Sequence, residues 1–221
     1  MQQFETPNPI SAVLDIPAGR VRFVAGDRAD TTVEVLPVDA SKSRDVKVAQ
    51  ETTVEYGDGV LRVVAPAKHQ ILGSSGYVEV TVELPAGSQV EVKAASAEFR
   101  AVGRYGDVVF DAAHGAVKVD EAASVRLTTL VGDVSVGRVN GSAEISTAKG
   151  DIRVAEAVRG TVTLRTQAGD VSISAANGVS ASLDAGTGHG RIHNALRNTD
   201  GTPDLTIHAS TAYGDILARS L

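Results

Sequence analysis

Five tripeptides of the form Gly-Asp-(Val/Ile), at 106–108, 132–134, 150–152, 169–171 and 214–216, set carboxylates at Asp107, Asp133, Asp151, Asp170 and Asp215. If these segments stack as adjacent β-rungs, neighbouring carboxylates stand about 4.8 Å apart. Two chemistries use such a spacing. Calcium bridges paired carboxylate oxygens, and a retaining glycosidase sets its two carboxyl groups about 5 to 5.5 Å apart. Catalysis requires one carboxyl whose surroundings make it unlike its partner, whereas these five are alike. The glycine-rich nonapeptide of calcium-binding β-rolls is missing. The structural alternative is a ladder of turn aspartates, each accepting hydrogen bonds from backbone N–H groups of its own turn. Such bonds offset a repulsion of roughly 1 kcal/mol per pair in water. On this reading there are no catalytic, cofactor-binding or metal-binding residues. A sixth turn, Gly188-His189-Gly190-Arg191-Ile192, carries Arg191 where the others carry Asp, as a charge-relieving insert or a drifted turn.

The remaining reactive side chains add little. Cysteine is absent, which removes disulfides, zinc–thiolate sites and cysteine nucleophiles together. His189 and His193 are four apart, a metal spacing suited to a helix face, in a stretch with no helical pattern; His69, His114 and His208 are isolated. There is no Gly-x-Ser-x-Gly, and Gly73-Ser74-Ser75-Gly76 lacks the lysine and the helix of a phosphate loop. Asn140-Gly141-Ser142 reads as a turn. Tyr56, Tyr105 and Tyr213 each precede or approach a Gly-Asp pair and read as covers over the turn below. Residues 1–88 hold 8 basic and 12 acidic residues and 89–221 hold 13 and 15, so neither half shows the basic patch of a nucleic-acid binder.

What positions the aspartates is period-two alternation, as in Tyr77–Leu84 and Val90–Ala94, with almost no helical periodicity. The expected class is all-β. Asp58-Gly59 between two alternating runs reads as a type I′ hairpin turn. Ile16-Pro17-Ala18-Gly19 and Leu84-Pro85-Ala86-Gly87 are near-copies, each read as ending one strand and launching the next. The polar stretches 39–45 and 68–76 read as exposed loops. From residue 89 the turn glycines fall at 106, 132, 150, 169, 190 and 214, intervals of 26, 18, 19, 21 and 24. The expected organisation is therefore a β-rich region at 1–88 with a hairpin and loops, and a Gly-Asp repeat region at 89–221, with one continuous domain as the variant.

A two-strand coil of this length cannot bury its apolar side alone, so coils must stack. The fold expected is a β-solenoid of roughly 18–24-residue coils, with a β-sandwich as the alternative. In the solenoid, Val125, Leu127, Ile145, Val162, Leu164, Leu183, Leu205 and Ile207 point inward from one strand of each coil. Val134, Val136, Ile152, Val154, Val171, Ile173, Ile192 and Ile216 do so from the other. Aromatics make up only 4% of the chain, which suits a thin aliphatic core. The Leu-Pro-Ala-Gly strand leading into tandem Gly-Asp-(Val/Ile) units resembles a bacterial β-strand-repeat family of unknown function whose members are called candidate adhesins. The resemblance implies a solenoid-like fold and an association with the cell envelope, and it brings no catalytic residues.

The unit from Pro203 to Leu221 carries no polar cap, and an uncapped apolar edge templates association. The interaction edge is expected at Leu205, Ile207, Ile216 and Leu217, meeting a protein partner or a second copy. The function expected is a non-enzymatic scaffold or interaction protein. The alternatives are an adhesin-like surface or carbohydrate-binding module and a carbohydrate-active enzyme. The N-terminal residues lack an export signal and no apolar run is long enough to span a bilayer. The chain thus reads as cytoplasmic, or as an envelope protein if a signal has been trimmed.

Overall fold

The computed structural model describes residues 1–66, 76–199 and 201–221, which leaves most of the 68–76 stretch and His69 outside the described residues. The chain divides into two compact units, Met1–Gly115 and Ala116–Leu221. Both are built almost wholly from β-strands.

In the first unit β1 (Gln2–Glu5), β2 (Ser11–Gly26) and β3 (Asp30–Pro37) are followed by helix α1 (Ser43–Glu51). Strands β4 (Thr53–Gly57), β5 (Val60–Val64), β6 (Val78–Pro85) and β7 (Gln89–His114) complete it. β2 and β7 are long strands paired in parallel from Ser11↔Gln89 to Val24↔Val102. On its other side β2 pairs in parallel with β5 along its first half and with β6 along its second. Antiparallel strands lie outside those: β4 on β5, and β1 on β3 on β6. Asp58 (φ 52°) and Gly59 (φ 75°) form the two-residue turn between β4 and β5, the positive-φ pair a type I′ turn requires.

Two sequence expectations change here. Ile16-Pro17-Ala18-Gly19 lies inside β2 and does not end it, and only Leu84–Gly87 joins two strands. Gly19 lets β2 run on because any Cβ there would sit 1.8 Å from the Val78 carbonyl oxygen. The polar stretch 39–45 is not all loop, for its last three residues begin α1. Asp45 is buried, and its carboxylate accepts the backbone N–H of Tyr77 (2.9 Å) and of Asp39 (3.2 Å). A short helix whose inward-facing group is a hydrogen-bonded acid leaves no apolar stripe to read. Ser88 is also buried, accepting the Ile10 N–H (3.0 Å) and donating to the Pro85 carbonyl (2.7 Å).

The second unit is a β-solenoid. Its strands are β8 (Val117–Val131), β9 (Val134–Val139), β10 (Ala143–Lys149), β11 (Ile152–Ala157), β12 (Gly160–Arg165) and β13 (Val171–Ala175). They continue with β14 (Ala181–His189), β15 (Ile192–Ala195), β16 (Leu205–Tyr213) and β17 (Ile216–Ser220). Among the described residues its pairings are parallel. One face runs from the second half of β8 through β10–β12–β16–β14, and the other from the first half of β8 through β9–β11–β13–β17–β15. The spatial order departs from the chain order, because the β16–β17 coil lies between the β12–β13 coil and the β14–β15 coil.

Register stacks apolar on apolar until the β14–β15 coil, where Asn194 is exposed. One core column is Leu127, Ile145, Leu164, Ala209, Ala185, and another is Val136, Val154, Ile173, Ala218, Asn194. Each side chain covers those above and below it, and the expected inward set is buried with two exceptions, Leu183 and Ile192. Both belong to the β14–β15 coil, whose strands pair on one side only among the described residues, and Ile192 is 45% exposed.

Candidate functional site

The Gly-Asp turns of the second unit form one edge of the solenoid, and the whole Thr-x-x-Gly-Asp motif builds it. Thr147, Thr166 and Thr211 lie on the inner side of that edge and are buried. Their hydroxyls donate to the carbonyls of Gly132 (3.3 Å), Gly150 (3.0 Å) and Gly169 (3.0 Å) in the coil beside them. Thr187 does the same to Gly214 (3.0 Å).

The carboxylates run a second chain of bonds. Asp133 accepts the Asp151 N–H at 2.9 Å, Asp151 accepts that of Asp170 at 2.8 Å, and Asp170 accepts that of Asp215 at 2.7 Å. The aspartates thus take backbone donors from the neighbouring coil and not from their own turn, because the parallel register holds the next peptide N–H level with each carboxylate. Glycine is required between the threonine and the aspartate by close approach: a Cβ on Gly150 would lie 2.2 Å from the Gly132 carbonyl oxygen. Each coil is therefore tied to the next by a hydroxyl in one direction and a carboxylate in the other, at a site that is otherwise solvent-exposed.

Arg191 ends this ladder and does not interrupt it. In space its turn follows that of Asp215. The Arg191 N–H donates to Asp215 Oδ1 (2.8 Å), and its guanidinium meets Asp215 Oδ2 (2.7 Å). That guanidinium, together with the backbone bond, holds the Asp215 carboxyl below its ordinary range. No further coil pairs with this one among the described residues, so no aspartate is needed there. The opposite corner of the solenoid is a network of mixed charge. Arg138 contacts Glu156 (2.5 Å) and donates to Asn140 Oδ1 (2.9 Å), while the Asn140 amide donates to Glu121 (2.9 Å).

The expected interaction edge is displaced. Leu205, Ile207 and Ile216 are buried in the β16–β17 coil, and only Leu217 reaches the surface, beside His193. The exposed edge belongs to β14 and β15. Placement follows side-chain chemistry: Leu205 pairs with Ala181 and Ala218 with Asn194, so the coil with the more apolar inward side chains takes the interior. Arg191 and Asn194 were the signals in the sequence that their coil must be terminal.

Asp107 lies in the first unit, within the continuous strand β7. The aromatic residues also separate. Tyr105 is buried with its hydroxyl on the Val102 carbonyl (2.8 Å), and Tyr56 lies against Phe4 (5.4 Å between centroids). Tyr213 is 62% exposed and stacks on His189 at 4.8 Å. His189 and His193 sit on different strands, and among the described residues no group of three or more His, Asp or Glu is disposed to hold a metal.

A cluster that the repeat pattern did not point to lies in the first unit. Arg28 forks onto Asp30 (2.8 and 2.9 Å) and also contacts Glu83. Gln3 donates to Asp30 (2.9 Å) and Thr32 to Glu83 (3.3 Å). The guanidinium lowers both carboxyl pKa values and is itself raised by its hydrogen bond to Asp30. The cluster ties β1, β3 and β6 together.

The Toastrack DUF4097 family model matches residues 13–220, and the chain belongs to that family. Among solved structures, a candidate adhesin from Bacteroides fragilis is similar at 13% identity, covering 98% of this chain and 95% of that one with a TM-score of 0.54. A candidate cell adhesion protein from Clostridium sporogenes is 10% identical over 100% and 98% of the two chains, with a TM-score of 0.46. A candidate lipid binding protein from Parabacteroides distasonis is 12% identical over 98% and 95%, also at 0.46. No curated protein matches the chain. Among the described residues no helix is long and apolar enough to cross a membrane.

Proposed function

We propose, from membership of the Toastrack family as the premise, that this chain is a non-enzymatic β-repeat scaffold that offers the exposed edge of its β14–β15 coil to a protein partner. One observation carries the reading. Asp133, Asp151 and Asp170, among the residues best suited to chemistry, are spent on bonds between coils, each like its neighbour. None of this provides the unequal pair that general acid–base chemistry needs. The edge of β14 and β15, with Ile192 exposed on it, pairs with no strand on its outer side among the described residues, and beyond Ala181, whose N–H goes to the Arg197 carbonyl, that side is left for a partner strand.

The test is a crosslinking pull-down from the native cell with the wild-type chain and with Ile192→Lys. Capture that is lost with Ile192→Lys while its melting temperature holds supports the reading. Capture that is indifferent to Ile192, or turnover of a glycan abolished by one Asp→Asn change alone, refutes it.

A second reading, a surface or carbohydrate-binding module, draws on the exposed Tyr213–His189 stack, since an exposed aromatic face packs against sugar rings. A glycan array with wild-type and Tyr213→Ala chains decides it: binding that disappears with the tyrosine supports the module, and no binding to any glycan rejects it.

A further inference from the structure

The β16–β17 coil fills a slot walled on both sides by parallel strands in the same register. Val162 and Leu183 both stand opposite Ile207, Val171 and Ile192 both stand opposite Ile216, and Gly160 and Ala181 both stand opposite Leu205. The ladder bonds follow the same rule. Asp170 receives the N–H of Asp215 from one side, and Asp215 receives that of Arg191 from the other. The β14–β15 coil precedes its neighbour in the chain yet, among the described residues, pairs with no other coil, so it joins the stack only through a β16–β17 coil. Nothing in the walls of the slot distinguishes the coil of the same chain from that of another copy.

We infer that the slot between β12–β13 and β14–β15 accepts the β16–β17 coil of a second copy, giving dimers joined by coil exchange. Exchange re-forms the strand pairings and ladder bonds of β16–β17. It opens the connection between β15 and β16, at the expense of the bonds that Arg197, Asn198 and Thr199 make to Ser180, Ala181 and Ser220, and is the low-cost route to association that swapping provides. It competes with intramolecular filling, so it grows with protein concentration during refolding. The occupant is specified by register: two apolar anchors, Ile207 and Ile216, separated by the Thr211-x-x-Gly214-Asp215 turn. The inference goes beyond the scaffold reading and does not depend on which partner that reading names.

The chain has no cysteine, which makes the test direct. Asp184 and His208 are register partners on β14 and β16, with 3.3 Å between their side chains. Chains carrying Asp184→Cys alone and His208→Cys alone are unfolded, mixed, refolded over a range of concentrations and oxidised. A covalent dimer of the two different chains, increasing with concentration, is the expected result. The reference pair, Arg126→Cys and Glu144→Cys on β8 and β10, occupies the same relation outside the slot and should give none. Both changes in one chain should close an intrachain disulfide at low concentration. If Asp184→Cys/His208→Cys does not close, His193→Cys and Leu217→Cys stand opposite each other across the slot on β15 and β17 and are read the same way. A pair that closes within one chain yet yields no mixed dimer at any concentration, or no more than the reference pair, overturns the inference.

Discussion

The two units reach similar all-β ends by different means. In the first, strands of unequal length and both directions meet around contacts that occur once: Phe99 between Phe23 (6.1 Å) and Phe110 (5.1 Å), the Arg28 cluster, and the buried carboxylate of Asp45. In the second, one pair of bonds recurs from coil to coil and the core contains no aromatic residue. The first should respond to damage as a whole, the second coil by coil, because stacked repeats draw stability from nearest neighbours.

The largest test of that contrast is cavity formation. Phe99→Ala should cost about 3–5 kcal/mol and Leu164→Ala about 2–5 kcal/mol, measured by chemical denaturation. Hydrogen exchange should spread the Phe99 loss through the first unit and confine the Leu164 loss to β10, β12 and β16. Uniform loss of protection across the second unit in Leu164→Ala would erase the distinction.

Next comes Gly150→Ala. Its Cβ would press on backbone, the Gly132 carbonyl and the Asp133 nitrogen, and overpacking of this kind costs about 1–3 kcal/mol. An alanine accepted without change in the melting temperature would show that the coils can part freely.

Acid should separate the units by their carboxylates. Asp30 and Glu83 titrate in the folded state below their ordinary values because of Arg28. Their contribution is therefore complete above the unfolded pKa values, near 4, and is lost as pH falls through the lower folded values. A melting series from pH 6 to pH 2.5 should lose stability over that span, and Arg28→Met should flatten it. Arg191→Met should flatten only the smaller part carried by Asp215.

The smaller effects probe the ladder itself. Thr166→Val removes a buried hydroxyl from the Gly150 carbonyl at about 1 kcal/mol. Asp170→Asn keeps an acceptor for the Asp215 N–H and should lower the melting temperature by no more than about 2 °C. A larger drop for the asparagine than for the valine would make charge, not hydrogen bonding, the tie between coils.

Alternation made the solenoid legible because it acts locally: Leu127, Ile145 and Leu164 face inward whatever coil lies beside them. The Asp58-Gly59 hairpin was legible for the same reason. Coil order was not, since every Thr-x-x-Gly turn fits every other and the choice rests on a few side chains, Leu205 over Ala181 and Ala218 over Asn194. Reading the 188–192 turn as a charge-relieving insert or a drifted turn accounts for Arg191 beside Asp215 but not for its place at the end of the ladder, where no aspartate is needed. The Asp45 helix and the Arg28 cluster were invisible for another reason. Each joins residues far apart in sequence, and no repeat or period marks them.

The inverted order of the two outermost coils sets a timetable for synthesis. A ribosome releases residues 181–195 before 205–220, so at about 5–20 residues per second the earlier strip emerges seconds ahead of its only neighbour. During that interval Leu183 and Ile192 are exposed with no place in the stack. On crowded polysomes, where nascent copies lie side by side, this is the moment at which one chain can close around another.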